Sequence, residues 1–222
     1  MHAQTKLLGF TSLVVSNKLI TFNGNDVQRR SIAERDDTAM KERIVIGLTG
    51  MPGAGKDVVR EIIQKMGYPV VVMGDEIREE AKRRKLKPTP ENLGKVMLKL
   101  REEEGPAAIA KRCIPKMEKA KEEVVAVEGI RSLYEVEEFK KHFPNFTLIA
   151  IHASPETRFQ RLFQRKRSDD PKGWKTFVER DSRELGVGIG AAIATADHMI
   201  VNEGTKTQLE RKTLEVFKEA LK

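Results

Sequence analysis

Chemistry is most legible in Gly50-Met51-Pro52-Gly53-Ala54-Gly55-Lys56-Asp57, which has the glycine and lysine spacing of a P-loop. Glycines at 50, 53 and 55 permit backbone conformations closed to residues with a Cβ and let the chain come close to a phosphate. Successive amide N–H groups then converge on the phosphate oxygens at a helix N-terminus, whose dipole favours an anion. Lys56 supplies a mobile cation for the β- and γ-phosphates. Position 57 departs from the pattern, because Asp57 stands where a Ser or Thr hydroxyl usually ligates magnesium. A carboxylate is still a hard oxygen ligand, but it brings a negative charge beside the phosphates. The stretch is therefore expected to bind a nucleotide phosphate, with Mg2+ held at Asp57 directly or through water.

A second metal-side carboxylate is Glu128, delivered by the apolar run Val124-Val125-Ala126-Val127 in a Walker B arrangement. Arginines make up most of the remaining machinery. Arg158, Arg161, Arg165, Arg167, Arg180 and Arg183 crowd into one segment, and on a helix the first three share a face at i, i+3 and i+7. A solvated basic face is the plain explanation. Phosphate recognition is the sharper one, because the planar guanidinium meets a phosphate in a bidentate way that lysine does not.

These residues need elements to hold them. Residues 44–49 read as a buried strand leading into the glycine-rich turn, and a helix follows over 58–66 with Val59, Ile62 and Ile63 on one face. Residues 69–73 read as a parallel strand ending in Gly74-Asp75, and three helices follow over 76–87, 91–104 and 106–121. Further strands are expected over 124–127, 147–152 and 198–201, a loop over 186–190, and a closing helix over 208–221. Strands alternating with helices predict an α/β fold: a three-layer P-loop NTPase with a parallel sheet and the ligand at the strands' C-terminal ends. Residues 40–222 form one such domain in this reading, with a substrate-side helical subdomain over 75–121 and an arginine-rich segment, a candidate lid, over 155–185. Residues 1–39 show little periodicity and read as a dispensable, disordered extension ahead of a natural beginning at Met40. The apolar pieces at 13–15 and 19–22 offer a small hairpin as the alternative.

A chain of 222 residues holds one sizeable core. Its net charge of +8 fits anionic ligands without separating nucleotides from nucleic acid. Aromatic residues make up only 5%, with no basic motif interleaved with aromatics, so a nucleic-acid partner is disfavoured. Cys113 is the single cysteine and cannot form an internal disulfide. With no run approaching the roughly 20 apolar residues of a membrane span, the chain reads as cytoplasmic and independent of a membrane. Oligomeric state leaves no mark in the sequence.

Several stretches resemble the nucleoside monophosphate kinases, adenylate kinase in particular. Gly74-Asp75-Glu76-Ile77-Arg78 is similar to that family's Gly-Asp-x-x-Arg, which implies that Arg78 meets the acceptor phosphate beside Asp75. Glu128-Gly129-Ile130-Arg131 resembles its Asp-Gly-x-x-Arg, one residue shorter, and places Arg131 on the acceptor too. Arg167-Ser168-Asp169-Asp170 with the later Arg180 resembles the arginines that clamp the moving phosphoryl group. The segment ending in Asn202 instead resembles dephospho-CoA kinase, where this turn packs on the adenine of ATP. From Met40 onward the chain most resembles a group of archaeal adenylate-kinase-related P-loop proteins.

The expected function is transfer of the γ-phosphoryl of ATP to a small nucleotide-like phosphate acceptor. Lys56 and the P-loop hold the donor, Asp57 and Glu128 the magnesium, and Arg78 and Arg131 the acceptor. Arg161, Arg165, Arg167 and Arg180 close over the transition state. Two alternatives are a dephospho-CoA-type kinase acting on a hydroxyl, with Asp75 as base, and an ATPase switch working with RNA or a protein.

Overall fold

The structure, a computed structural model, describes residues 10–15, 18–23, 43–165, 167 and 170–222. The chain divides into two compact units, Met1–Glu42 and Arg43–Lys222. In the first, β1 (Phe10–Val15) pairs antiparallel with β2 (Lys18–Asn23), in register from Phe10 opposite Asn23 to Val15 opposite Lys18. The hairpin is therefore the form taken by a stretch for which disorder was the first expectation. Its β-branched and aromatic residues favour an extended chain. Met40, and Ser168 and Asp169 of the arginine-rich segment, lie outside the described residues.

In the second unit a strand buried on both faces belongs at the centre of a parallel sheet. β3 (Ile44–Thr49), buried from Val45 onward, has that place. β5 (Val124–Ile130) and β6 (Asn145–His152) flank it, and β4 (Val70–Val72) and β7 (His198–Val201) form the edges of an all-parallel sheet ordered β4-β5-β3-β6-β7. Side chains alternate between two cores, as a period of two requires. Val45 and Leu148 join one core with residues of α2 (Met73–Arg83), α3 (Pro90–Glu104), α4 (Ala108–Glu118) and α5 (Leu133–His142). Ile46, Leu48, Ile149 and Ile151 join the other, with Val59 and Ile63 of α1 (Lys56–Lys65) and Leu209 and Phe217 of α9 (Lys206–Ala220).

Parallel pairing brings all five C-terminal strand ends to one edge, where the chain leaves β3 into the P-loop, β4 into α2, β5 at Arg131 and β7 at Asn202. β5 is longer than expected. Its pairing with β3 shifts between Leu48 and Thr49, and Gly129 takes a φ of 108° on the way to Ile130. A bulge of this kind re-aims side chains beside a site; here it follows Glu128, which pairs with Leu48, and brings Ile130 opposite Thr49. α6 (Pro155–Arg165), α7 (Trp174–Val187) and α8 (Ile189–Ala194) complete the edge. The expected loop over 186–190 contracts to Gly188, the left-handed residue (φ 111°) between two helices, because Gly186 and Gly190 fit within helical turns.

Among the helices over the first core, Glu80 is 2% exposed and is bonded by Arg83, Arg84 and Arg112. Burial alone would raise its carboxyl, but the three guanidiniums win and bring it from 4.5 down to about 2. That depression contributes stability that is present in full above pH 4.5 and lost as the pH falls toward 2. Glu80→Gln is expected to cost about 1–3 kcal/mol at pH 7 and to lose less on acidification than the parent chain. Urea unfolding at pH 7 and pH 3 checks it, and an equal acid loss in both proteins would remove Glu80 from the acid response.

Candidate active site

The turn from β3 into α1 takes φ values of 147°, 81° and 105° at Gly50, Gly53 and Gly55. Space forbids a side chain as well: a Cβ on Gly50 would strike the Ile151 carbonyl oxygen, and one on Gly55 the Asn202 side-chain nitrogen. The carbonyl oxygens of this turn are fastened by side chains. Lys56 Nζ donates back to Gly50 O at 2.5 Å and Met51 O at 3.1 Å. Arg158 Nη1 donates to Pro52 O at 3.1 Å and Asn202 Nδ2 to Ala54 O at 2.8 Å. With carbonyls so held, amide N–H groups at the start of α1 are what the turn has to offer an anion.

Burial pushes the Lys56 amine down to about 8, and the charges acting on it are, in order, Glu128, Arg131, Glu184 and Asp57. Glu128, Glu184 and Asp57 oppose the burial and Arg131 reinforces it. Charges from β5 and the residue after it, from α7 and from α1 itself thus act on one lysine.

Asp57, Asp170 and Glu128 already have arginine partners. Asp57 Oδ2 lies 3.2 Å from Arg165 Nη1 and 3.4 Å from Arg167 Nη2. Asp170, with a side chain 2% exposed, receives Arg165 at 2.7 and 3.0 Å and the Arg167 amide at 2.8 Å, and Arg180 stands 3.7 Å away. Burial alone would raise the Asp170 carboxyl, but these donors hold it below its usual range. Glu128 receives Arg60 at 2.7 Å. Asp57 and Glu128 suit magnesium, which takes one or two protein carboxylates and completes its shell with phosphate oxygens and water. Among the described residues no group of three His, Cys, Asp or Glu side chains forms an all-protein metal cage.

A cleft of about 540 Å³ opens between α2, α3, α7 and the end of β5, lined by Gly74, Ile77, Arg78, Leu93, Gly94, Met97, Leu98, Arg101, Arg131, Arg180, Arg183, Glu184, Gly186 and Val187. Arg131 and Glu184 tie it to the P-loop, since both act on Lys56. Arg131 lies 3.2 Å from Glu184, and its backbone amide donates to Glu135 at 2.7 Å. Arg101 is committed to Glu135 at 2.6 Å. Arg78 is more than half exposed and pairs with Asp75, also more than half exposed.

The structure sorts the arginines that the sequence grouped together. Arg158 is 3% exposed and bonds Asp181 at 2.5 and 2.9 Å, the Ala153 carbonyl at 3.1 Å and Pro52 O, with the Phe177 ring 5.0 Å from its guanidinium carbon. It is a strut under the P-loop, although it shares a helix with Arg161 and Arg165. Arg161 donates to the Asn202 carbonyl at 3.0 Å. Asn202 is itself 5% exposed and supports the loop through Ala54. Arg165, Arg167 and Arg180 gather at Asp170 near Asp57, whereas Arg78 and Arg131 belong to the cleft with Arg180. Sequence reasoning overlooked Arg60, Asp181 and Glu184. The available signal for the last was helical spacing, since Arg180, Arg183, Glu184 and Val187 fall at i, i+3, i+4 and i+7.

The chain matches the AAA domain family AAA_17 over residues 49–177. It is 56% identical over 171 residues to a UPF0200 protein of Pyrococcus furiosus, covering 75% of this chain and 92% of that relative. It is also 56% identical over 162 residues to one of Methanocaldococcus jannaschii, covering 72% and 82%. Among solved structures it is similar to shikimate kinase from Acinetobacter baumannii in complex with shikimate, with TM-score 0.51 and 17% identity over 82% of this chain and 97% of that one. A gluconokinase from Sinorhizobium meliloti gives TM-score 0.51 and 16% identity over 81% and 94%. At such identities the likeness is one of fold, a P-loop kinase-like α/β domain. The chain belongs to the UPF0200 family of archaeal proteins and carries an AAA_17 P-loop domain.

Because Arg158 is a buried half of an ion pair, Arg158→Ala is expected to lower stability by about 3–5 kcal/mol and to weaken nucleotide binding through the loosened loop. Denaturant unfolding and nucleotide titration measure the two effects. An unchanged unfolding midpoint would mean that Arg158 is no strut.

Proposed function

We propose that the chain is an ATP-dependent phosphotransferase that moves the γ-phosphoryl group to a nucleotide-like phosphate monoester. The observation that carries this reading is the cleft. Arg78, Arg131, Arg180 and Arg183 line it together with Ile77, Leu93, Met97 and Leu98, and two of its residues act on the P-loop lysine. An anion attached to an apolar or aromatic body fits such a lining.

In this reading the P-loop amides and Lys56 hold the triphosphate, and Lys56 is charged at pH 7 because its amine titrates at about 8. Asp57 and Glu128 would hold magnesium, which when bound neutralises charge on the β- and γ-phosphates. The adenine packs at the turn after β7, with Asn202 beneath it bracing the loop. An oxygen of the acceptor phosphate attacks the γ-phosphorus, the bond to the bridging oxygen breaks, and ADP leaves. Such an acceptor is already ionised at neutral pH and needs no base, but two anions must be held together by cations. Arg78 and Arg131 do this for the acceptor. Arg161 steadies the lid against Asn202, and Arg165, Arg167 and Arg180 exchange their carboxylate partners for phosphoryl oxygens as the lid closes. This also accounts for Asp57 in place of a hydroxyl residue. Its carboxylate keeps Arg165 and Arg167 beside the P-loop before nucleotide arrives.

Arg167→Ala and Arg180→Ala are expected to lower kcat by about a thousandfold or more with ATP affinity little changed. Arg78→Ala and Arg131→Ala are expected to raise the acceptor KM instead. Steady-state kinetics with both substrates varied, together with ATP titration, separate the patterns. ATP affinity falling in step with turnover in all four variants would assign these arginines to the donor and sink the acceptor site.

A further inference from the structure

Among the described carboxylates around the site, Glu184 stands apart. Asp57, Glu128, Glu135 and Asp170 each receive guanidinium hydrogen bonds, at 2.6 to 3.4 Å. Glu184 is the carboxylate in the lining of the cleft, its side chain is 14% exposed, and its Oε2 is buried with no hydrogen-bond partner among the described residues. Arg131 Nε lies 3.2 Å from that oxygen, but not in hydrogen-bond alignment. Nor does Arg131 depend on Glu184 for its place, because its backbone is fixed by Glu135 and its guanidinium meets the Met97 sulfur at 3.5 Å.

A buried carboxylate oxygen left without a donor is costly, and native structures seldom leave one unless a ligand or water completes it. An ionised carboxylate accepts hydrogen bonds and cannot donate them, and it repels the phosphate of any acceptor. Its complement is therefore a neutral donor on the body of the acceptor, away from the phosphate. Arg78 and Arg131 take the anion, the apolar wall takes the flat part, and Glu184 is left to read an O–H or N–H group.

We propose that Glu184 is a specificity-determining residue, whose carboxylate accepts a hydrogen bond from a hydroxyl or amino group of the phosphate monoester in the cleft. This rests on the phosphotransferase reading above. A sugar hydroxyl and a base amino group offer the same chemistry, and matched acceptor pairs tell them apart. Ribose against 2′-deoxyribose removes a hydroxyl. Cytosine against uracil, and adenine against hypoxanthine, replace an amino group with a carbonyl oxygen.

The test measures kcat/KM for each pair of nucleoside monophosphates with labelled ATP, in the full chain and in Glu184→Gln and Glu184→Ala. The full chain is expected to prefer the member bearing the hydroxyl or exocyclic amino group in at least one pair by about ten- to a hundredfold, the range of a hydrogen bond to a charged group. Glu184→Ala is expected to bring that ratio close to one, and the isosteric Glu184→Gln to narrow it. Thermal unfolding of both variants shows whether they fold, and Glu184→Gln alone decides the matter if the alanine protein does not. Equal losses on every acceptor with the ratios unchanged would make Glu184 a support for Arg131 and overturn the proposal. Ratios near one in the full chain would overturn it too. Failure of the full chain to phosphorylate any monoester would overturn the phosphotransferase reading along with it, so the two failures are distinguishable.

Discussion

The fastening of the P-loop carbonyls is the constraint on which the remainder of the site depends. A helix start flanked by glycines has little rigidity of its own, and an anion site requires that its amides be organised before the anion arrives. Here Lys56, Arg158 and Asn202 fix the carbonyls of Gly50, Met51, Pro52 and Ala54. Those three residues belong to α1, α6 and the segment after β7, so the loop is braced by elements far apart in sequence. Arg158 in turn is anchored by Asp181 of α7, which couples the loop to the helix that lines the cleft. The sheet supplies the common origin, since its parallel strands all deliver their C-terminal ends to this edge.

Charge is arranged with the same economy. The region is rich in arginine, yet its carboxylates are placed so that the guanidiniums are held close to the loop before any ligand binds. Asp57 and Asp170 gather Arg165, Arg167 and Arg180, and Arg60 neutralises Glu128. An arriving phosphate therefore competes with a carboxylate for each donor, which favours a multiply charged ligand over a single weak anion. Lys56, pushed down to about 8 by burial, remains cationic at neutral pH because three nearby carboxylates offset part of that burial.

Local physics made the P-loop and the sheet readable from residues alone. Glycine spacing, a lysine and a preceding apolar strand are contiguous, and alternating strands and helices leave few parallel topologies. Partnership among the arginines was not readable, because it is settled by tertiary contacts. Arg158, Arg161 and Arg165 share a helix face, yet one supports Pro52 O, one meets Asn202 and one binds Asp57 and Asp170. Glu184 carried no motif at all; its interest arises from an unsatisfied oxygen in a cleft whose walls come from four elements. The β5 bulge and the contraction of the 186–190 loop to Gly188 depend on single glycine conformations, which spacing does not specify. Two short apolar runs near the N-terminus were compatible with either disorder or a hairpin, and pairing between β1 and β2 decided it.

The claim that joins these observations is that the cleft and the P-loop serve one reaction, with the γ-phosphoryl passing between them. Incubating the full chain with ATP labelled at the γ-phosphate, magnesium and a panel of nucleoside monophosphates, and then separating the products, tests it most directly. The account predicts label in a nucleoside diphosphate formed from at least one acceptor, with little label released as inorganic phosphate. Label appearing only as inorganic phosphate, at a rate indifferent to every acceptor, would contradict it.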